Sequence, residues 1–366
     1  MKMILRWFPF GDDSVSLEYI RQVPGVSGVA TCLTDVPVGE VWPLDRLKVL
    51  KEEVNKHGLE MEVIESVNVH EDIKKGLPSR DRYIDAYLQT IKNLAKVGVK
   101  CLCYNFMPVI DWVRTDLAHK LPDGSEAMAY RHAQVANMDP SLVARTMRNQ
   151  ANGFSLPGWE PERLSAMAED IEFYRHVSEE EYWNNMKYFL DAVIPVAESC
   201  DIKMAIHPDD PPWSIFGLPR VITDAAHIRT FLALNDSPYN GITLCTGSLG
   251  SDRNNDVPAI VREFAGRGRV HFAHIRNVKH LSGKDFNETA HLSQCGDLDM
   301  YEIVKAFYDA GFDGYIRPDH GRMIWGERGR PGYGLFDRAI GANYLLGLWE
   351  AIAKSNKHKG GAHGDA

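Results

Sequence analysis

The sequence predicts an α/β fold: a parallel (β/α)8 barrel of the TIM type, with a long insertion after strand 4. Two observations carry this. Strand-like and helix-like segments alternate along most of the 366 residues, the pattern of a parallel sheet covered by helices. In addition, His207, Cys245, His274 and Asp319 each stand just past a short apolar run that reads as a buried strand. Ligand-type side chains on four separate strands converge only when those strands lie side by side and point the same way. A β/α barrel does this, and it gathers functional groups at the C-terminal rim of its strands.

The elements follow in order. Residues 3–8 read as a first strand and 14–22 as a helix. A second strand over 28–33 precedes a helix over 44–57, closed by Gly58, which suits a left-handed cap. A third strand over 59–64 is followed by a helix over 81–96 with a cap at Gly98, then a fourth strand over 99–105. The four ligand-bearing runs bring the strands to about eight, the barrel number.

The interruption spans residues 107–177 and contains Pro108, Pro122, Pro140, Pro157 and Pro161. Its Trp112, Tyr130, Phe154 and Trp159 argue for packing rather than disorder. An insertion at this point emerges at the catalytic rim, so a cap over the site is expected. The next helix opens on Ser178 and Glu181, a capping box, and repeats Tyr182, Met186, Phe189, Leu190 and Val193 at helical spacing. Pro195 is expected to bend or shorten it. Further helices fit 224–234, 256–265, 298–309 and 335–353. Residues 1–353 read as one domain, and the Gly-, Lys- and His-rich residues 354–366 as a mobile tail.

Composition bounds the function. Hydrophobic residues are 44% and charged residues 25%, ordinary for a soluble globular chain. A net charge of -9 argues against nucleic acid as a partner, because phosphate binding wants a basic field. It leaves room for a small anion in a locally positive site. Six cysteines with no C-x-x-C pair speak against a zinc ribbon or a disulfide scaffold and for a reducing compartment. No signal-peptide core appears, nor a run of about 18 apolar residues such as a membrane span needs. The expectation is a cytoplasmic protein with a small-molecule substrate, as a homo-oligomer with a dimer favoured.

Side chains alternate across a strand. With His207 facing the barrel axis, Ala205 and Lys203 face it too, while Met204 and Ile206 meet the helices. Cys245 shares its face with Thr243, His274 with Phe272, and Asp319 with Arg317 and Tyr315. His271 lies on the other face near the strand's start and is rejected as a ligand. Taken singly, each residue has an ordinary explanation: a hydrogen-bonded core histidine, a small buried cysteine, an aspartate in a turn. Their joint recurrence on four strands points to a metal site. Imidazole, thiolate and carboxylate suit zinc, and manganese or ferrous iron accept the same set.

Other candidates surround these. Asp209 and Asp210 either orient His207 or are solvated loop charges. Arg276, Asn277 and Lys279 either hold a carboxylate or form an exposed basic loop. His320 is a titratable group beside Asp319. Tyr333, between Gly332 and Gly334, reads from the residues alone as a packing aromatic. Cys101 and Cys103 share one strand face and read as core. No phosphate loop or dinucleotide fingerprint is present.

The motifs His207-Pro208-Asp209-Asp210-Pro211-Pro212-Trp213, Leu244-Cys245-Thr246-Gly247-Ser248, His274-Ile275-Arg276-Asn277-Val278 and Arg317-Pro318-Asp319-His320-Gly321-Arg322 resemble the mannonate dehydratase family. The segment from Asn105 to Trp112 also fits, and the likeness runs from Arg6-Trp7 to Leu348-Trp349-Glu350. Val113 and Ala273 depart from the expected pattern without touching a proposed ligand. The resemblance implies a xylose-isomerase-like barrel, a divalent manganese or ferrous ion with zinc not excluded, and conversion of D-mannonate, a sugar acid, to 2-keto-3-deoxy-D-gluconate. It assigns metal ligation to His207, Cys245, His274 and Asp319, and acid–base work to His320 and Tyr333. Tyr333 is expected as the base and His320 as the acid, the reverse remaining open. Arg276, Asn277, Lys279 and Trp112 are the expected substrate contacts. The rivals are a sugar isomerase on the same barrel and a non-catalytic sugar-binding protein with a structural metal.

Overall fold

Among the described residues twelve strands follow one another: β1 (Lys2–Arg6), β2 (Val26–Thr31), β3 (Glu60–Glu65), β4 (Cys101–Tyr104), β5 (Asp116–Lys120), β6 (Glu126–Tyr130), β7 (Lys203–Ile206), β8 (Asn240–Cys245), β9 (Val270–His274), β10 (Asn277–His280), β11 (Phe286–Thr289) and β12 (Tyr315–Arg317). The computed structural model describes residues 1–136, 139–154, 156, 158, 159 and 161–361. Eight of the strands close a parallel barrel in the order β1-β12-β9-β8-β7-β4-β3-β2. The predicted barrel is therefore present, with helices on its outside.

Two apolar layers follow from strand alternation. Inside the barrel, Ile4, Ala30, Val63, Cys101, Cys103 and Phe272 pack together, so the two cysteines are core. Outward-facing residues such as Leu5, Met61, Leu102, Met204, Ile206 and Leu244 join the helices in the larger core. The helix Glu179–Ser199 has the full capping box of Ser178 and Glu181 and buries Tyr182, Met186, Phe189 and Leu190. It runs through Pro195 to Ser199 rather than stopping there. Proline near the last turn removes one backbone donor, while buried Val193, Ile194 and Ala197 keep that turn on the core.

The insertion has its own architecture. β5 and β6 pair antiparallel and β6 joins β11, making a four-stranded sheet in the order β10-β11-β6-β5. Helices His132–Ala136, Pro140–Gln150 and Pro161–Tyr174 follow. Half of this sheet comes from a second excursion, the hairpin β10–β11 after β9, where the sequence predicts no strand. At the C-terminus, the last helix spans Leu335–Gly361. It carries regular structure through residues 354–361, where the sequence predicts a mobile tail, with Lys354 paired to Glu350 one turn earlier. Residues 362–366 lie outside the described residues.

Candidate active site

The four ligand-bearing strands β7, β8, β9 and β12 are consecutive staves of the barrel. Cys245 stands opposite His274 in register, and Arg317 pairs with His274 from the other side. His207 follows β7 by one residue. These positions bring one donor atom each from His207, Cys245 and His274 within 4.8 Å of one another.

Each donor is held by its surroundings. His207 Nδ1 lies 2.7 Å from the carbonyl oxygen of Pro208. Donating there, the ring keeps its Nε2 lone pair available. Cys245 caps the short helix Thr246–Gly250, its sulfur accepting from the Ser248 hydroxyl at 3.0 Å and the Ser248 backbone N–H at 3.4 Å. His274 is fully buried; its Nε2 makes no hydrogen bond within normal geometry and lies 3.5 Å from Glu65 Oε2. Two imidazoles and a thiol in mutual reach fit a divalent transition ion.

Asp319 stands beside this trio rather than within it. Its carboxylate is 3.5 Å from Cys245 Sγ and 3.7 Å from His274 Nδ1. Arg276 Nε holds one oxygen at 2.6 Å and Arg317 Nη1 the other at 2.9 Å. Burial opposes its ionisation, yet His320, Arg317 and Arg276 hold the carboxyl well below the usual range. The backbone at Asp319 has φ +46, a region that aspartate tolerates better than most side chains.

A chamber opens beside His207, the member of the trio that lines it. Trp112, His207, Asp319, His320 and Tyr333 line it, with Glu65 and Arg317 in its wall. Arg317 grips Glu65 through two bonds of 2.7 and 3.0 Å. The rings of His320 and Tyr333 meet edge-on with centroids 5.1 Å apart. Burial pushes the Tyr333 phenol up to about 12, with Glu65 and Asp319 adding to the rise and Arg317 opposing it. His320 Nδ1 lies 3.0 Å from Glu288 Oε2. On the insertion side, Trp159 donates its indole N–H to the carbonyl of Trp112 at 2.9 Å, so a second insertion residue braces the chamber wall.

Three expected substrate contacts are corrected. Arg276 is buried behind the chamber with its guanidinium divided among Asp319, Asp210 (2.7 Å) and Glu288 (3.1 Å). Asn277 is fully buried, giving its amide N–H to Leu292 O and accepting from the Leu298 N–H. Lys279 is exposed on the hairpin and pairs with Asp297. The hairpin turns Asn277 and Lys279 away from the barrel mouth. Of the four expected contacts, Trp112 alone lines the chamber. Asp210 pairs with Arg114 and Arg276, and Asp209 with Arg220, so both are buried ion-pair partners. His271 faces the opposite end of the barrel.

The sequence reading missed Glu65, Arg114 and Glu288. Glu65 carried the same signal as the chosen ligands, a carboxylate closing a strand. Glu288 had only a weak signal, a Ser282-Gly283 turn between two short runs that hold one large apolar residue each, Val278 and Phe286. Arg114 had no local signal, since its partners Asp210 and Glu288 are distant in the chain.

A (β/α)8 barrel with imidazole, thiol and carboxylate groups gathered at its C-terminal rim defines the class of barrel enzymes with a candidate metal site at the strand ends. The D-mannonate dehydratase (UxuA) family model matches residues 1–359. The chain is 60% identical over 354 residues to a mannonate dehydratase of Thermotoga neapolitana, covering 97% of this chain and 98% of that one. It is 57% identical to mannonate dehydratase 1 of Halalkalibacterium halodurans, over 98% of each. The crystal structure of mannonate dehydratase from Streptococcus suis serotype 2 superposes with a TM-score of 0.88 at 47% identity, covering 97% of this chain and 96% of that one. The chain belongs to the D-mannonate dehydratase family. An L-ribulose 3-epimerase structure shares the barrel at a TM-score of 0.56 and 13% identity, over 100% of both chains; this likeness concerns the fold alone.

Proposed function

We propose that the chain dehydrates D-mannonate to 2-keto-3-deoxy-D-gluconate at this chamber, using a divalent ion held by His207, Cys245 and His274 with Asp319 beside them. The observation that supports it is the approach of those three donors within 4.8 Å at a chamber whose wall carries His320 and Tyr333. Manganese and ferrous iron are the proposed ions, and zinc suits the same donors. When bound, the ion supplies Lewis-acid stabilisation for negative charge that builds up beside the substrate carboxylate.

The protein groups divide two proton transfers. One removes the C2 proton and the other protonates the departing C3 oxygen. Burial raises the Tyr333 phenol in the ion-free protein, and a divalent ion beside it would pull the same phenol down, so the two roles are assigned from the ring geometry of His320. The Glu288 carboxylate against His320 Nδ1 leaves Nε2 free to accept, so His320 takes the C2 proton and Tyr333 protonates the C3 oxygen, the assignment that the sequence left open as the alternative. Trp112, braced by Trp159, limits access of water to the chamber. No described helix is long and apolar enough to cross a membrane, and all six cysteines are free thiols; both agree with a cytoplasmic enzyme acting on a dissolved sugar acid.

The test is product formation from a panel of aldonic acids and neutral sugars, with stripped enzyme reloaded with manganese, iron or zinc. D-mannonate is expected as the preferred substrate. Tyr333→Phe and His320→Asn are each expected to lose about 100-fold or more in kcat with the metal retained. Turnover of neutral sugars, or near-normal turnover by either variant, contradicts the reading. Unfolding on metal removal instead of simple loss of turnover supports a structural ion.

A further inference from the structure

We propose that Glu288 is the positioning residue that sets the His320 ring for proton transfer. Glu288 lies on β11, outside the barrel, in the sheet shared by the two excursions. Its carboxylate oxygens lie 3.0 and 3.2 Å from His320 Nδ1. A carboxylate accepting from Nδ1–H selects one tautomer and one ring orientation. The other nitrogen, Nε2, is the one on the side of Asp319, 3.8 Å from its Oδ1, and Asp319 and His320 both line the chamber.

Glu288 is itself clamped. Oε1 accepts from Arg114 Nε at 2.9 Å and Nη2 at 2.8 Å, and from Arg276 Nη1 at 3.1 Å. The side chain is nearly fully buried, with 7% of it exposed, so these bonds are not exchanged for water. Arg114 comes from the first insertion and Arg276 from the start of the hairpin. Each barrel excursion thus supplies part of one rigid support for His320. Arg276 also grips Asp319, which ties the acid–base ring and the candidate ligand to the same buried cation. A support so placed acts on the reaction through the orientation of His320, without touching substrate.

This inference rests on the proposed dehydration, and the experiment separates the two. Glu288→Gln and Glu288→Ala are made alone and in a His320→Asn background. Turnover of D-mannonate, metal content, thermal unfolding and the nitrogen spectrum of the His320 ring are measured. In the wild-type background, Glu288→Ala is expected to lose about 100-fold or more in kcat, with KM within a few-fold and metal content unchanged. Glu288→Gln, which keeps an accepting oxygen, is expected to recover part of that loss. In the His320→Asn background the further loss is expected to shrink to about threefold or less, because the two residues act as a unit. The ring spectrum is expected to show Nδ1–H in the wild type and mixed tautomers in Glu288→Ala. An equal loss in both backgrounds, or an unchanged tautomer with unchanged kcat, overturns the positioning role. If no variant folds or turns over well enough for rates, the wild-type spectrum still decides: a proton on Nε2 instead of Nδ1 overturns it. If wild-type protein leaves D-mannonate untouched while the tautomer signature holds, the substrate reading fails and the Glu288–His320 pairing stands.

Discussion

Arg276 Nε donates to Asp319 Oδ2 at 2.6 Å, and the far end of the same guanidinium reaches Asp210 at 2.7 Å. One buried cation therefore joins the loop after β7 to the loop after β12. Burial opposes ionisation of Asp210, but Arg114 and Arg276 hold its carboxyl well below the usual range. Gly247 makes room for this arrangement: a Cβ there would sit 2.4 Å from Arg276 Cγ. Arg276→Met leaves buried carboxylates uncompensated and is expected to cost about 3–5 kcal/mol. Arg276→Lys keeps the charge and loses the fork, so it should recover only part. Urea unfolding checks both; a loss under about 1 kcal/mol for Arg276→Met would mean that the hub is not holding the site together.

Cys245 sits at the centre of the donor trio. Replacing it with Ser keeps the size and removes the soft thiolate. Metal affinity is expected to fall by more than about 10-fold, since losing even an outer partner of a ligand costs that much. Titration of stripped protein with manganese or zinc, followed by calorimetry, reads this directly. Wild-type affinity in Cys245→Ser would place the ion elsewhere.

Trp159 braces Trp112 from the insertion, and the next residue, Val113, donates its N–H to Asp210 O at 3.2 Å. Trp159→Phe keeps an aromatic ring but loses the indole bond, about 1 kcal/mol of local stability. Faster hydrogen exchange at the Val113 amide is expected, with exchange in the β4 core unchanged. Uniform acceleration through the barrel would instead indicate global destabilisation.

His271 gives a pH signature away from the chamber. Burial, then Lys203 and Arg269, push its imidazole down to about 3. The unfolded chain takes up a proton near pH 6.5 that the folded protein refuses. The folded-state value is depressed, so the associated stability is complete above about pH 6.5 and is lost as pH falls toward about 3. His271→Gln removes this titration. Below pH 6 the variant is expected to gain on the wild type by about 1.4 kcal/mol per pH unit, measured on metal-stripped protein. A stability difference that stays flat with pH would show that His271 protonates as readily folded as unfolded.

The barrel was legible because apolar alternation is a local property. Met204 and Ile206 face the helices and Ala205 the axis in both sequence pattern and structure. Local capping chemistry was equally readable at Ser178 and Glu181. The charged network was not. Arg114 lies 96 residues from Asp210 and 174 from Glu288, and nothing near Arg114 announces either partner. Arg276 was taken for a substrate contact because a cation after a ligand-bearing strand points toward the rim; the hairpin it begins encloses it instead.

Residue pattern alone determined the eight-stranded barrel and the candidates His207, Cys245, His274 and Asp319, because strand period and strand-end position place side chains without reference to distant chain. Tertiary structure alone decided which charges face the chamber and which are buried in pairs. Glu65, Asp210 and Glu288 were given their arginines by the meeting of strands and loops far apart in sequence. The physical reason is that an ion pair depends on distance in space, whereas alternation and capping depend on distance along the chain.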